Sequence, residues 1–356
     1  MKFLDFKGAL LKTVFCFSLV LLITDESFAQ GGMFSKKNKI NQYSSISIGG
    51  GSSHYFGDLS PYSTFYYGLY TNVRWNATIN YTRQFTPQFA ARVSFTWARI
   101  LGDDYNYSQR NLTKFHTYYL RNLHFRNDIK EFALTGVFNL LPQTGKGQQG
   151  RRAFMPYGLL GIGFYGHSPK ARENATVDPT TGEVTLGGWL NLKELQTSGQ
   201  GIIPDQPKSY SLLQPVFPVG LGVKMKLTEK LDLNLEGGLR ITPFDYLDDV
   251  GSSKYPNPTV LAATSPTGAL LSNRAGENIS ARTGEDRTPV FVQIMTDPAY
   301  RYNLAGAGIQ PSTNAEQFVG FSANTIRGSS RWDSYFVTQI TISYIIGSSV
   351  KCPPIK

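Results

Sequence analysis

From Thr71 to Phe85 the side chains alternate without exception, with Val73, Trp75, Ala77, Ile79 and Tyr81 on one face and Arg74, Asn76, Thr78, Asn80, Thr82 and Gln84 on the other. A period of two fits a strand with one oily and one polar face, and it does not fit a helix. After a tight turn at Thr86-Pro87, Phe89, Ala91, Val93, Phe95 and Trp97 oppose Arg92, Ser94 and Thr96 across Gln88 to Leu101, so the two runs read as a hairpin. A sandwich strand facing bulk water alternates in the same way, so one hairpin decides nothing. Recurrence decides.

The pattern returns at Ser44 to Ser52, at Ile129 to Leu141, at Phe217 to Thr228, in the run that opens at Leu231, and at Ser334 to Ile346. It returns less cleanly in the glycine-rich run Phe154 to Gly166, which brings the total to eight predicted strands. Three connections are short or modest: Thr86-Pro87, Pro142 to Ala153, and Thr228 to Lys230. They alternate with four long ones: Ser53 to Tyr70, Gly102 to Asp128, His167 to Val216, and Pro243 to Asp333. An even number of strands with short turns at one end and long loops at the other is the asymmetry of an outer-membrane barrel with both termini in the periplasm.

The compartment agrees. Lys2, Lys7 and Lys12 flank an apolar run from Val14 to Ile23, and Ser27-Phe28-Ala29 supplies small residues at a cleavage point, so residues 1–29 read as a signal peptide. The run is shorter than the roughly twenty residues a membrane helix needs, and no second one follows, so a membrane-spanning mature chain must close as a barrel. Charged residues make up 17% of the chain, below the roughly 25% of ordinary soluble domains, and the formal net charge is +10. Cys352 is the only cysteine beyond the signal, which excludes an intramolecular disulfide. The expected organisation is therefore a signal peptide at 1–29, a periplasmic leader at 30–43, an all-β antiparallel barrel with its loops at 44–347, and a periplasmic tail at 348–356. A soluble calyx of eight strands is the alternative, but it would hold its apolar face inward. Here the inward candidates are Arg74, Arg92, Glu131, Lys224, Glu236 and Arg240, a poor filling for a lipid-binding pocket. A barrel of eight strands is only wide enough to be filled by side chains, so these charges are expected to pair in a packed ionic lumen.

Other spellings carry less. Gly161-Ile162-Gly163-Phe164-Tyr165-Gly166 matches a dinucleotide fingerprint but lies within a strand and opens no helix. His54, His116, His124 and His167 fall in or beside the long loops, with Asp58 and loop serines near in sequence, yet no nucleophile and base spacing is readable. Asp245, Asp248 and Asp249 have the oxygen chemistry of a divalent-cation site, although such a cluster is more often a hydrogen-bonded turn. No cofactor and no catalytic residue is expected. Arg110, Lys114, Arg121, Arg126, Lys170, Arg172, Lys254 and Arg274 fall at or beyond the rim of the long-loop end, where outer-membrane lipid, and lipopolysaccharide phosphates in particular, is the expected partner.

After Glu236-Gly237-Gly238-Leu239-Arg240, the stretch Thr242-Pro243-Phe244-Asp245-Tyr246-Leu247-Asp248-Asp249-Val250 resembles the PorG-like outer-membrane barrels of the type IX secretion system. Further stretches resemble that family in the same order: Tyr55-Phe56-Gly57-Asp58-Leu59, Arg121-Asn122-Leu123-His124-Phe125, Pro156-Tyr157, Thr197-Ser198-Gly199-Gln200-Gly201, Arg327-Gly328 and Asp333-Ser334-Tyr335. The resemblance implies a structural barrel that anchors a periplasmic ring of PorK and PorN type and supports protein export and, in some relatives, gliding. On that reading the periplasmic face docks the ring, with Lys146, Arg151, Arg152, Lys351 and Cys352 as the expected contacts. A surface enzyme and a general barrel for adhesion or envelope integrity remain the alternatives.

Overall fold

The computed structural model describes residues 42–60, 68–141, 147–204, 206–251, 254–300, 304, 309, 320–323 and 325–346. The expected signal peptide, nearly all of the expected leader, the expected tail, Lys146, Lys351 and Cys352 lie outside the described residues. Eight strands form the barrel: β1 (Tyr43–Phe56), β2 (Arg74–Gln84), β3 (Phe89–Asp103), β4 (His124–Asn139), β5 (Phe154–Gly166), β10 (Leu213–Lys226), β11 (Leu231–Ile241) and β12 (Ser334–Ile346). Each is hydrogen-bonded antiparallel to its chain neighbours, and β1 pairs with β12, so the sheet closes on itself and leaves no barrel edge. β5 and β12 have the predicted bounds. β4 starts earlier than expected, because His124 to Asp128 continue the ladder with β3 above the membrane pattern. β10 also starts earlier, at Leu213.

Every barrel strand turns large apolar side chains outward with no protein covering them, among them Ile48, Ile79, Phe95, Leu134, Ile162, Leu221, Leu235 and Ile342. Ile48 and Leu221 are 68% and 69% exposed, the reverse of a soluble core. Trp75 and Trp97 pack edge to face at 5.1 Å near the long-loop end of this belt, where an aromatic girdle belongs. No helix among the described residues is long and apolar enough to cross a membrane. The closed sheet and its outward belt make this a transmembrane barrel of the outer-membrane type, with a polar interior.

Glycine makes the closure possible. A Cβ on Gly51 would lie 2.0 Å from the Thr338 carbonyl oxygen, and one on Gly49 would lie 2.0 Å from that of Ile340, so β1 approaches β12 more closely than any side chain permits. The three glycines of the fingerprint-like spelling sit in β5, where a Cβ on Gly161 would meet the Leu134 carbonyl at 2.3 Å.

The long connections fold into a cap. The second carries α1 (Asp104–Ser108) and α2 (Leu112–Arg121). The third carries β6 (Pro169–Arg172), β7 (Thr176–Val177), β8 (Val184–Thr185), β9 (Trp189–Asn191) and α3 (Leu192–Leu195), with β6 added to the upper part of β4 and β9 to β6. The fourth carries α4 (Pro258–Thr264), α5 (Pro266–Ser272) and α6 (Thr288–Thr296). Asn257 and Ser265 cap α4 and α5, each followed by proline at the first helical position, where the missing amide costs nothing. One apolar core joins the barrel top to the cap through Tyr55, Ile100, Phe125, Tyr165, Leu247, Leu271 and Tyr335. A second joins Tyr105, Tyr119 and Leu120 to Phe291, Ile294 and Met295.

Leu134 stands mid-belt and is 51% exposed. Leu134→Arg is expected to cost about 2–4 kcal/mol in lipid vesicles, measured by denaturant unfolding. A neutral outcome would mean that this face meets water.

Candidate functional site

The lumen is filled by paired charges. Arg92 reaches Glu236 at 2.5 Å, and the Tyr157 hydroxyl donates to the same carboxylate at 2.9 Å. Nearer the long-loop end the Arg240 guanidinium lies 3.4 Å from Glu131, which also accepts from the Tyr335 hydroxyl at 2.5 Å. Lys224 stands 5.9 Å from the centroid of the Tyr157 ring. Arg92 with Glu236 and Arg240 with Glu131 thus form two ion pairs, and Lys224 stands beside the first. Arg74 does not join: it stands at the rim and donates to the carbonyl of Val73. The cavity among these side chains is about 10 Å³, room for roughly one water.

At the short-turn end Arg151 pairs with Asp232 and donates to the carbonyls of Thr228, at 3.2 Å, and Glu229, at 2.5 Å. Its guanidinium therefore clamps one turn to the next from a buried position, and it cannot also steer a partner. Arg152 is half-buried beside it.

Most of the motif residues, scattered from Tyr55 to Asp333, meet at the mouth; Tyr157 and Tyr335 instead face the lumen carboxylates of Glu236 and Glu131. The Tyr55 hydroxyl donates to Asp248 at 2.7 Å and stands 3.0 Å from Asp333. Asp248 also accepts from the amide of Val250, Asp333 from that of Leu247, and Asp58 from that of Ser329 at 2.9 and 3.0 Å. Gly57 is obligatory here, since a Cβ would lie 1.6 Å from the Tyr55 hydroxyl and 2.1 Å from Asp333. Arg121 forks onto Asp104 at 2.7 and 2.8 Å and donates to the carbonyls of Asp58 and Arg327, so a single guanidinium holds three loops. Arg327 in turn donates to Ser198, Thr197 and the carbonyl of Asp249. The Asp249 carboxylate accepts from Thr197, Gln200 and Tyr210, and its backbone is left-handed at φ 66°. Tyr246 stacks on Tyr210 at 5.1 Å.

The acidic residues of the Asp245 to Asp249 stretch do not converge. Asp248 turns to Tyr55 and Asp249 to Tyr210, and no group of acids, histidines or cysteines among the described residues is placed to share a metal ion. Nor do the histidines converge with a carboxylate. His54 meets Ser52 at 2.8 Å, His116 faces a helix carbonyl, His124 accepts from the Arg172 amide, and His167 lies beside Asn127. Asp58 is taken up by the Ser329 amide. Several members of the knot carry no signal in the sequence: Asp104, Tyr210 and Arg287, the last of which donates to the carbonyl of Tyr119 and fastens the fourth loop to α2.

Burial pushes Asp248 and Asp333 well above the usual carboxylate range, and the neighbouring acids push each further. Asp58 is raised by burial too, against the opposing pull of Arg121 and Ser329. The Tyr55 hydroxyl stands between two of these three crowded carboxyls.

No family model matches the chain, and no curated protein matches it. Among solved structures it is similar to Ail, the attachment invasion locus protein of Yersinia pestis, crystallised with the heparin analogue sucrose octasulfate, at 10% identity over 86% of this chain and 99% of that one, with a TM-score of 0.31. It is similar to the outer membrane protein OprG of Pseudomonas aeruginosa at 8% identity over 86% and 98%, with a TM-score of 0.33. Neisserial surface protein A matches at 7% identity over 85% and 95%, with a TM-score of 0.30. At such scores the architecture rests on the closed sheet and its outward belt.

Two outcomes check the site. Arg240→Leu is expected to cost about 3–5 kcal/mol by stranding Glu131, and adding Glu131→Leu should recover much of it; unfolding of the single and double variants decides. The raised acids stabilise the mouth below the ordinary carboxylate range, and that contribution is lost as pH rises through their folded values. Loop proteolysis should accelerate with rising pH, and Asp248→Asn should flatten the profile; an unchanged profile would refute it.

Proposed function

We propose that this chain is a structural outer-membrane barrel that works as a membrane anchor, with its long loops outside and both termini in the periplasm. The observation that carries the reading is the closure of both routes through the molecule. The lumen is packed with ion pairs, and the mouth is knotted by residues from all four long connections. Among the described residues the packed lumen leaves room for only about one water, too little for a solute path. What the barrel offers is rigid attachment to the membrane and two surfaces.

The resemblance to PorG-like barrels gives the anchor its object: the PorK and PorN type ring of the type IX secretion system. The meeting of most of the resembling stretches at the mouth supports a shared structural role for them. Arg152 and the segments around Lys146, Lys351 and Cys352 make up the proposed docking face; Arg151 shapes it from within. The ordered cap favours a second reading, a surface barrel for adhesion or envelope integrity.

Truncation after Ser349, and separately Arg152→Glu, should lower recovery of the ring with the barrel and reduce secretion while barrel abundance stays normal. Normal ring recovery and secretion in both variants would favour the surface-barrel reading.

A further inference from the structure

The outward face of the barrel changes character abruptly at one place on its rim. On β4 the even-numbered side chains face out, and Phe132 and Leu134 belong to the apolar belt. The next positions toward the long-loop end are Lys130, Asp128 and Arg126. β3 presents Arg99 directly opposite Asp128, and the two form a fork at 2.6 and 3.0 Å. β6 continues the surface, with Lys170 opposite Arg126, and β9 adds Trp189 opposite Arg172. Trp189 lies between two guanidiniums: Arg126 is 4.3 Å and Arg172 5.1 Å from its ring centroid.

The charges on this face do not cancel. Asp128 is committed to Arg99. Among the described residues, the side chains of Arg126, Lys130 and Lys170 have no ion-pair or hydrogen-bond partner, and the Arg172 guanidinium donates only to the carbonyl of Gly187. The Nε atoms of Arg126 and Arg172 are shielded from solvent without a partner. Burial, Arg99 and Arg172 all disfavour the charge on Arg126, and Asp128, which favours it, is shared with Arg99. The sheet holds all four in register, so the arrangement is not an accident of a floppy loop. Directly below stand Trp97, Phe132 and Phe164, which are 43%, 57% and 59% exposed.

We propose that Arg126, Lys130, Lys170 and Arg172, braced by Trp189, form a binding site for the phosphorylated headgroup of an outer-leaflet lipid, the bisphosphorylated lipid A moiety of lipopolysaccharide. The guanidiniums and ammoniums take the phosphate oxygens in charge-assisted hydrogen bonds, and the acyl chains run down the aromatic and aliphatic belt. A soluble polyanion would use the basic half of this surface and leave the apolar half unused. The continuity of the two halves therefore selects an amphiphile. Of the rim cations expected to meet lipid, Arg121 and Arg274 are excluded, because both are buried and paired inside the cap with Asp104 and Glu277. The site rests on the reading that the long loops face outside, but its test does not depend on the secretion machinery.

The experiment uses the full chain purified in detergent, with native mass spectrometry titrating bisphosphorylated lipid A, dephosphorylated lipid A and sucrose octasulfate. Lipid A is expected to bind the wild type, with the dephosphorylated form weaker. Replacing Arg126, Lys170 and Arg172 together by Gln should weaken binding roughly tenfold or more. Arg110→Gln and Lys114→Gln, on exposed cap positions, should leave it unchanged. The pair Arg126→Lys and Arg172→Lys keeps the charge and loses the planar stack on Trp189; it should bind with intermediate strength and serves if the triple variant does not fold, as judged by heat-modifiable migration. Equal binding of the phosphorylated and dephosphorylated forms, or undiminished binding by the variants, would overturn the site. Sucrose octasulfate binding as tightly as lipid A and displacing it would also overturn it, in favour of a soluble sulfated or phosphorylated glycan.

Discussion

The absence of water in a bilayer is the constraint on which everything else in this molecule depends. Each backbone amide and carbonyl at membrane depth has to find a partner within the protein, and a sheet does this only when its first strand meets its last. β1 and β12 meet through glycines that let two backbones approach to a distance no side chain would tolerate. Once the sheet is closed, its two faces have opposite solvents. The outer face takes isoleucine, leucine and phenylalanine, and the inner face takes whatever polar groups can satisfy one another.

Inside, that satisfaction is layered along the barrel axis. Arg151 and Asp232 close the short-turn end, Arg92, Glu236 and Tyr157 fill the middle, and Arg240, Glu131 and Tyr335 lie above them. Over these comes an apolar layer with Ile100 and Phe125, and then the acidic knot of the mouth. In each charged layer an arginine meets a carboxylate from a distant part of the chain. Removing one partner leaves the other charged and buried, which is why such pairs fix a single arrangement even where their net contribution to stability is small.

The parts of this design that repeat every two residues were legible in the sequence. Alternation placed all eight barrel strands and sorted Leu235 from Glu236, because a strand's face is a local property. Partnership across the lumen was not legible: that Glu131 meets Arg240 and Arg92 meets Glu236 depends on stagger around the barrel, which no window of sequence contains. Arg74 was misplaced for the same reason, since its parity is inward but its height is the rim. The helices of the fourth connection were missed although their starts are spelled out as Asn257-Pro258 and Ser265-Pro266, because a search for alternation passes over capped segments of seven residues. The motifs at Gly57-Asp58, Asp248-Asp249 and Arg327-Gly328 stood out as words, and only the fold shows that they belong to one sentence.

The position of the mouth knot has a bearing on how the molecule is assembled. Tyr55 lies at the end of the first strand and Asp333 at the threshold of the last, so the knot straddles the seam where the sheet closes. Asp58 and Asp104 lie in the first two long connections, yet the groups that complete their surroundings, Arg327, Ser329 and Asp333, come just before the last barrel strand. Contacts between such distant residues form late, since the whole intervening chain must be ordered first. The latch across the seam can therefore be set only after the final strand has docked, and a barrel halted short of that step would carry unlatched loops over an open sheet.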